Sequence, residues 1–136
     1  MKILILCTGN SCRSQMAEAF LNNMNRGITA HSAGTKPSKQ VHPLAVKVMQ
    51  ELGINISDHK PKHSDSFVSD NFDFVITVCD NAKESCPIFI GKVKQQLHIG
   101  FEDPDAVEGS EEFVLSEFRR IRDEIKEQFE DFISHL

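Results

Sequence analysis

The chain has 136 residues, 40% of them hydrophobic, with 20 acidic against 15 basic residues and a net charge of −5. That length suits a single domain spanning residues 1–136, and the acidic balance argues against nucleic acid as the main partner. No apolar stretch approaches the ~20 residues of a membrane span, and the run from Ile3 to Leu6 is too short for a signal-peptide core, so a cytoplasmic monomer with no membrane partner is expected.

Residues 2–6 form a short continuous apolar run, suited to a strand buried on both faces. A polar loop follows, and Met16, Ala17, Phe20, Leu21 and Met24 then recur at helical spacing over residues 14–25, with Gly27 as a stop. Residues 28–32 suit a second strand, and Ala45, Val48, Met49 and Leu52 a second helix closed by Gly53. Residues 54–71 are polar and irregular, with room for short helical pieces. Phe72 to Val78 reads as a third strand, residues 80–86 as a short helix or loop, and residues 93–99 as a fourth strand. Val114, Phe118, Ile121, Ile125, Phe129, Phe132 and Leu136 step by three and four, which marks a long amphipathic C-terminal helix with Ser110 as its N-cap. This alternation implies an α/β fold: a four-stranded parallel sheet flanked by helices on both faces. Sites in such folds lie at the carboxyl ends of the strands. Cys7, Cys79 and Asp103 all follow strands, so one edge gathers them.

The loop Cys7-Thr8-Gly9-Asn10-Ser11-Cys12-Arg13-Ser14 carries the sharpest chemical signal. A polar loop between a buried strand and a helix N-terminus can wrap a tetrahedral oxyanion with backbone N–H groups. Cys7 is then the candidate nucleophile, since a thiolate is favoured by such donors and by a nearby cation. Arg13 offers a planar two-point fork for oxyanion oxygens, which Lys cannot reproduce. Gly9 and Asn10 suit a loop that takes positive φ, and Ser14 is placed to hydrogen-bond the Cys7 sulfur. Taken alone, Thr-Gly-Asn-Ser is also an ordinary strand-to-helix turn. Asp103, before Pro104, is a candidate general acid, although Asp-Pro alone reads as a turn initiator.

Cys79 and Cys86 form the second signal. Zinc ligation is one alternative, but with four residues inside the first cysteine pair and six inside the second, the first only reaches the upper limit of the usual C-x₂₋₄-C of structural sites and the second exceeds it. Buried inert thiols are another, weighed against by the polar stretch Asp80 to Ser85 between the two cysteines. A thiol ending a strand beside Cys7 could instead attack an adduct on Cys7, and a further thiol seven residues on could resolve the product as a disulfide.

These residues resemble the thioredoxin-coupled arsenate reductases, which share the fold of low-molecular-weight protein tyrosine phosphatases. The likeness covers almost the whole chain. It rests on Cys7-Thr-Gly-Asn-Ser-Cys-Arg-Ser-Gln-Met-Ala-Glu18, Ser32-Ala-Gly34, Val75-Ile-Thr-Val-Cys79, Cys86-Pro87, Gly100-Phe-Glu-Asp-Pro104 and Arg122-Asp-Glu-Ile125. The first of these is partly shared with the phosphatases, and C-x₆-C from Cys79 to Cys86 points to the reductase branch. The resemblance implies that Cys7 attacks arsenate held by Thr8 to Ser14, that Asp103 assists departure of water, and that Cys79 and then Cys86 carry the oxidation to a Cys79–Cys86 disulfide reduced by thioredoxin. Phosphate and sulfate are implied as analogues of arsenate, with weak phosphatase side activity, and Cys12 is implied to be a loop residue outside the relay.

Two departures stand out. Family members often bind potassium through residues matching Asn10, Glu18 and Ser32, but the fourth ligand, an aspartate, aligns with Lys62. An ammonium group there would replace the ion, so no metal or other cofactor is expected. Asp105 stands where a small residue usually follows the proline, putting an extra charge on the rim of the site. The competing enzyme reading is a tyrosine or small-molecule phosphatase using only Cys7, Arg13 and Asp103. With no Tyr or Trp in the chain, its aromatic pocket walls would have to be Phe. A non-enzymatic anion or redox sensor is the third reading, distinguished by arsenate binding without turnover.

Overall fold

The computed structural model describes residues 1–80 and 87–136. Four strands run in chain order: β1 Lys2–Cys7, β2 Thr29–Gly34, β3 Asn71–Thr77 and β4 Lys92–His98. They form one parallel sheet in the order β2-β1-β3-β4. Among the described residues three α-helices accompany them: α1 Arg13–Asn23, α2 Pro43–Gln50 and α3 Glu111–Ser134. The expected α/β architecture is therefore present. Short 3₁₀ turns at Ser64–Phe67 and Pro104–Ala106 complete the elements. The first lies in the stretch that reads as irregular from sequence. The segment 81–86 and with it Cys86 lie outside the described residues.

β1 is central because its residues are apolar on both faces. Ile3, Ile5 and Cys7 enter the larger core cluster with α1, α2 and α3, while Leu4 and Leu6 join Ala33, Phe67, Val75 and Phe89 on the other face. These three described α-helices cover one face, and the Ser64–Phe67 turn and Phe89 contribute to covering the other. α3 buries Phe118, Ile121, Ile125, Phe129 and Ile133, the three-and-four stepping of an amphipathic stripe. Ser110 caps it by accepting the Phe113 N–H at 3.1 Å. Leu136, read from sequence as part of the stripe, lies beyond the helix end and is exposed.

After β1 the chain moves to β2 on one side, then crosses to β3 on the other. That reversal of direction opens a crevice at the carboxyl ends of β1 and β3. Register pairs Leu6 with Thr77, so Cys7 and Cys79 leave the sheet at the same edge of neighbouring strands.

Candidate active site

Cys7 ends β1 and is buried. Its sulfur lies 2.9 Å from Ser14 Oγ and accepts the Asn10 backbone N–H at 3.2 Å. The loop that follows is fixed from outside. Lys36 N–H donates to Thr8 O at 3.0 Å, Ser38 N–H to Gly9 O at 2.9 Å and His42 N–H to Ser11 O at 3.0 Å. These bonds tie three loop carbonyls to the outer segment, while the Asn10 N–H donates inward to Cys7. α1 begins directly after Cys12 with no side-chain cap on its first amides, which leaves the helix N-terminus as a donor to an anion.

Asn10 is the inner brace. Its φ of 51° is the left-handed conformation that Asn tolerates; Gly9 does not share it. Asn10 Nδ2 donates to Ser14 Oγ at 2.8 Å, and its Oδ1 accepts Lys62 N–H at 2.9 Å and Gln15 Nε2 at 3.0 Å. Gln15, fully buried, also donates to Lys60 O at 3.1 Å, and its Oε1 meets His59 Nδ1 at 3.0 Å. A buried polar network satisfied to this degree rigidifies the loop. Gly34, at the end of β2, sets the clearance: a Cβ there would sit 2.2 Å from Thr8 O and 3.1 Å from Asn10 N. Only glycine permits that approach.

Arg13 is buried at the first position of α1. Its Nη1 donates to Phe101 O at 3.1 Å, and its Nη2 lies 3.7 Å from Asp103 Oδ2. Asp103 Oδ1 accepts the Asp105 N–H at 3.0 Å, so the carboxyl turns its other oxygen toward Arg13. Cys7, Arg13 and Asp103 are thus brought to one place from positions 7, 13 and 103. Cys12, also buried, has its thiol pushed up to about 12, chiefly by burial, with Asp103 and Asp105 adding to the rise against a hydrogen bond from Ser11. It stays protonated and unreactive at neutral pH. Cys7 and Cys12 are free thiols, whereas Cys79 is held in a disulfide.

The residues matching a potassium site do not fit one. Asn10 Oδ1 already accepts two N–H groups. Lys62 Nζ lies 3.5 Å from Glu18 Oε1, the oxygen that also accepts the Ser32 hydroxyl at 3.1 Å. His59 Nδ1 stands 3.3 Å from the other Glu18 oxygen. Protein donors therefore occupy the carboxylate and amide oxygens a cation would need.

The loop and Asp103 stand out in the sequence, but Gln15, His42, His59 and Gly34 do not stand out as supports of the loop. Gln15 directly follows the loop, and Gly34 closes Ser32-Ala-Gly34. Those positions are the only hints the sequence offers.

A buried cysteine opening a strand-to-helix loop, an arginine opening the next helix and an aspartate facing it make the arrangement of a phosphatase-like thiol site. The model of the low molecular weight phosphotyrosine protein phosphatase family matches residues 2–136, and the chain belongs to that family. Within it, the chain is 41% identical over 131 residues to an arsenate reductase of Bacillus subtilis, covering 96% of this chain and 93% of that protein. A solved arsenate reductase in the phosphate binding state superposes with a TM-score of 0.81 at 34% identity, over 98% of this chain and 97% of that one. A thioredoxin-dependent arsenate reductase of Corynebacterium glutamicum gives a TM-score of 0.63 at 28% identity, over 99% of this chain and 63% of that one.

Proposed function

We propose that this protein reduces arsenate to arsenite through a three-thiol relay that thioredoxin resets. The observation that carries the reading is the second thiol position. Cys79 follows the strand paired with β1 and leaves the sheet at the edge where Cys7 stands. A hydrolytic phosphatase needs no such group. The arsenate reductases among the relatives support the oxyanion, and the thioredoxin-dependent one supports the donor.

In the first step the Cys7 thiolate attacks arsenic. One As–O bond breaks, and Asp103 protonates the departing hydroxide to water. Arg13 and the amides of Thr8 to Ser14 hold the remaining oxygens, acting most strongly where charge builds up. Next the Cys79 thiolate attacks Cys7 Sγ. The Cys7–As bond breaks with its electron pair passing to arsenic, so As(V) becomes As(III) and arsenite leaves. Cys86 then attacks Cys79, frees Cys7, and leaves a Cys79–Cys86 disulfide for the thioredoxin dithiol. The free thiol at Cys7 and the disulfide at Cys79 fit the close of this cycle. Lys62 supplies the positive charge beside Glu18 that potassium supplies in other family members.

Cys79→Ser tests the relay. It is expected to abolish arsenite release while sparing hydrolysis of an aryl phosphate by Cys7, Arg13 and Asp103. Arsenate reduction by this variant at the original rate would overturn the reading. Rates in potassium and sodium salts of equal ionic strength are expected to agree, and a marked gain in potassium would remove Lys62 from its role.

A further inference from the structure

Asp105 is half exposed and next to the general acid, yet its side chain is not left to solvent. Its Oδ1 lies 3.0 Å from His42 Nε2. The other ring nitrogen, Nδ1, accepts the Leu44 N–H at 3.1 Å as the N-cap of α2. A nitrogen that accepts carries no proton in the neutral ring, so the proton sits on Nε2 and is donated to Asp105. The ring also packs on Phe118 of α3, with centroids 4.8 Å apart. Three attachments therefore fix one imidazole.

Those attachments close a circuit around the active site. The His42 backbone N–H holds Ser11 O in the anion loop, and its ring holds the Asp105 carboxylate. The Asp105 N–H holds Asp103 Oδ1, and Asp103 Oδ2 faces Arg13, back in the anion loop. Among the described residues the segment before the Pro104–Ala106 turn is tied by Arg13 to Phe101 O, by the Phe101 N–H to Val78 O and by Arg120 to Glu102, whereas Ala106 and Val107 bond only within the turn. We propose that His42 and Asp105 form a positioning clamp that sets the Asp103 carboxyl against the anion loop. The clamp rests on the reading of Asp103 as general acid. It also gives Asp105 a role beyond that of an extra charge on the rim.

The test is single-turnover arsenate reduction by the full chain in five variants: Asp103→Asn, Asp105→Asn, His42→Asn, Asp105→Asn with His42→Asn, and Asp105→Asn with Asp103→Asn. Asn at position 42 keeps an acceptor for the α2 cap, and thermal unfolding checks each fold. Asp103→Asn is expected to slow the first step by about 10²-fold, the lower range for a general acid. His42→Asn and Asp105→Asn are each expected to slow it by about 5- to 10-fold, since misplacing a catalytic group costs part of its effect. Half-saturating arsenate should stay within about twofold in both, because binding belongs to the anion loop. Their combination should fall no lower than the worse single variant. Adding Asp105→Asn to Asp103→Asn should cost nothing further, which a purely structural defect would not reproduce. An unchanged rate in both single variants overturns the clamp, as does an undiminished Asp105→Asn effect without Asp103. A lower half-saturating arsenate concentration at unchanged rate in Asp105→Asn also overturns it, by making Asp105 a rim charge. An unaltered rate in Asp103→Asn instead removes the general acid, and the clamp with it.

Discussion

The anion loop and the acid loop face each other across Arg13 and are held in opposite ways. Cys7, Asn10, Arg13, Ser14 and Gln15 are all at most 4% exposed; Lys36, Ser38 and His42 hold the neighbouring carbonyls of Thr8, Gly9 and Ser11, and Lys60 and Lys62 bond Gln15 and Asn10. The side chain of Asp103 is 33% exposed and that of Asp105 57%, held by Arg13, by His42 and by the Asp105 N–H bond to Asp103. The contrast suits the two tasks that the proposed mechanism gives these loops. Donors that meet developing charge help most when they need not move during reaction. In the proposed mechanism the Asp103 carboxyl gives up a proton each cycle, and contact with water would let it recover one. Preorganisation is thus concentrated in the first loop, and adjustment is left to the second.

Arg13→Lys should break this comparison most severely. A point charge replaces a buried fork, and turnover is expected to fall by about 10²-fold or more, with a rise in half-saturating arsenate. Steady-state kinetics read both. Activity kept within about threefold, where loss of a preorganised donor costs far more, would mean that the amides alone hold the anion.

Gly34→Ala comes next. Its Cβ meets backbone, at Thr8 O, rather than a side chain that could swing away. The loop must shift, at a cost of about 1–3 kcal/mol as for overpacked cores. Chemical denaturation should show the loss, and activity should fall with it. An equivalent substitution at Gly27, where a Cβ would meet nothing within 4 Å, gives the control for packing. That site's φ of 72° brings its own strain, so only stability, and not activity, should suffer there.

Glu51→Gln should have the smallest effect and spare activity. Glu51 follows α2 and receives Arg119 and Arg122 of α3. The Arg119 hydrogen bond first, then that of Arg122, outweigh the opposing effect of burial and lower its carboxyl from 4.5 to about 2. A carboxyl lowered by folding stabilises the protein fully above pH 4.5, and that contribution is lost as pH falls toward about 2. The substitution is expected to cost about 1 kcal/mol at neutral pH, as for partly exposed pairs. Denaturation curves of the two proteins should converge on acidification. A gap that persists near pH 2 would assign the loss to packing and not to charge.

Much of this comparison is legible in the sequence, and the division has a physical basis. β1 and α3 are written locally, as a run apolar on both faces and as a stripe stepping by three and four. Cys7, Arg13 and Ser14 lie within eight residues, so their meeting needs only a turn. Gln15 bonding Lys60, Lys62 bonding Asn10 and His42 bonding Asp105 span 45, 52 and 63 positions. No period or spacing encodes such pairs; only the packed fold brings them together. The polar stretch that reads as irregular over residues 54–71 is where His59, Lys60 and Lys62 brace the anion loop. Its lack of pattern reflects a segment whose order comes from tertiary hydrogen bonds.

The central claim is that Cys7 passes its oxidation onward to Cys79 and Cys86 instead of shedding a hydrolysed ester. The direct measurement is a single turnover of the fully reduced protein with stoichiometric arsenate and no reductant, followed by disulfide mapping by mass spectrometry. The account expects one arsenite per protein and one Cys79–Cys86 disulfide, with Cys7 and Cys12 recovered as thiols. Arsenite formed with Cys79 and Cys86 still reduced, or a disulfide involving Cys12, would contradict it.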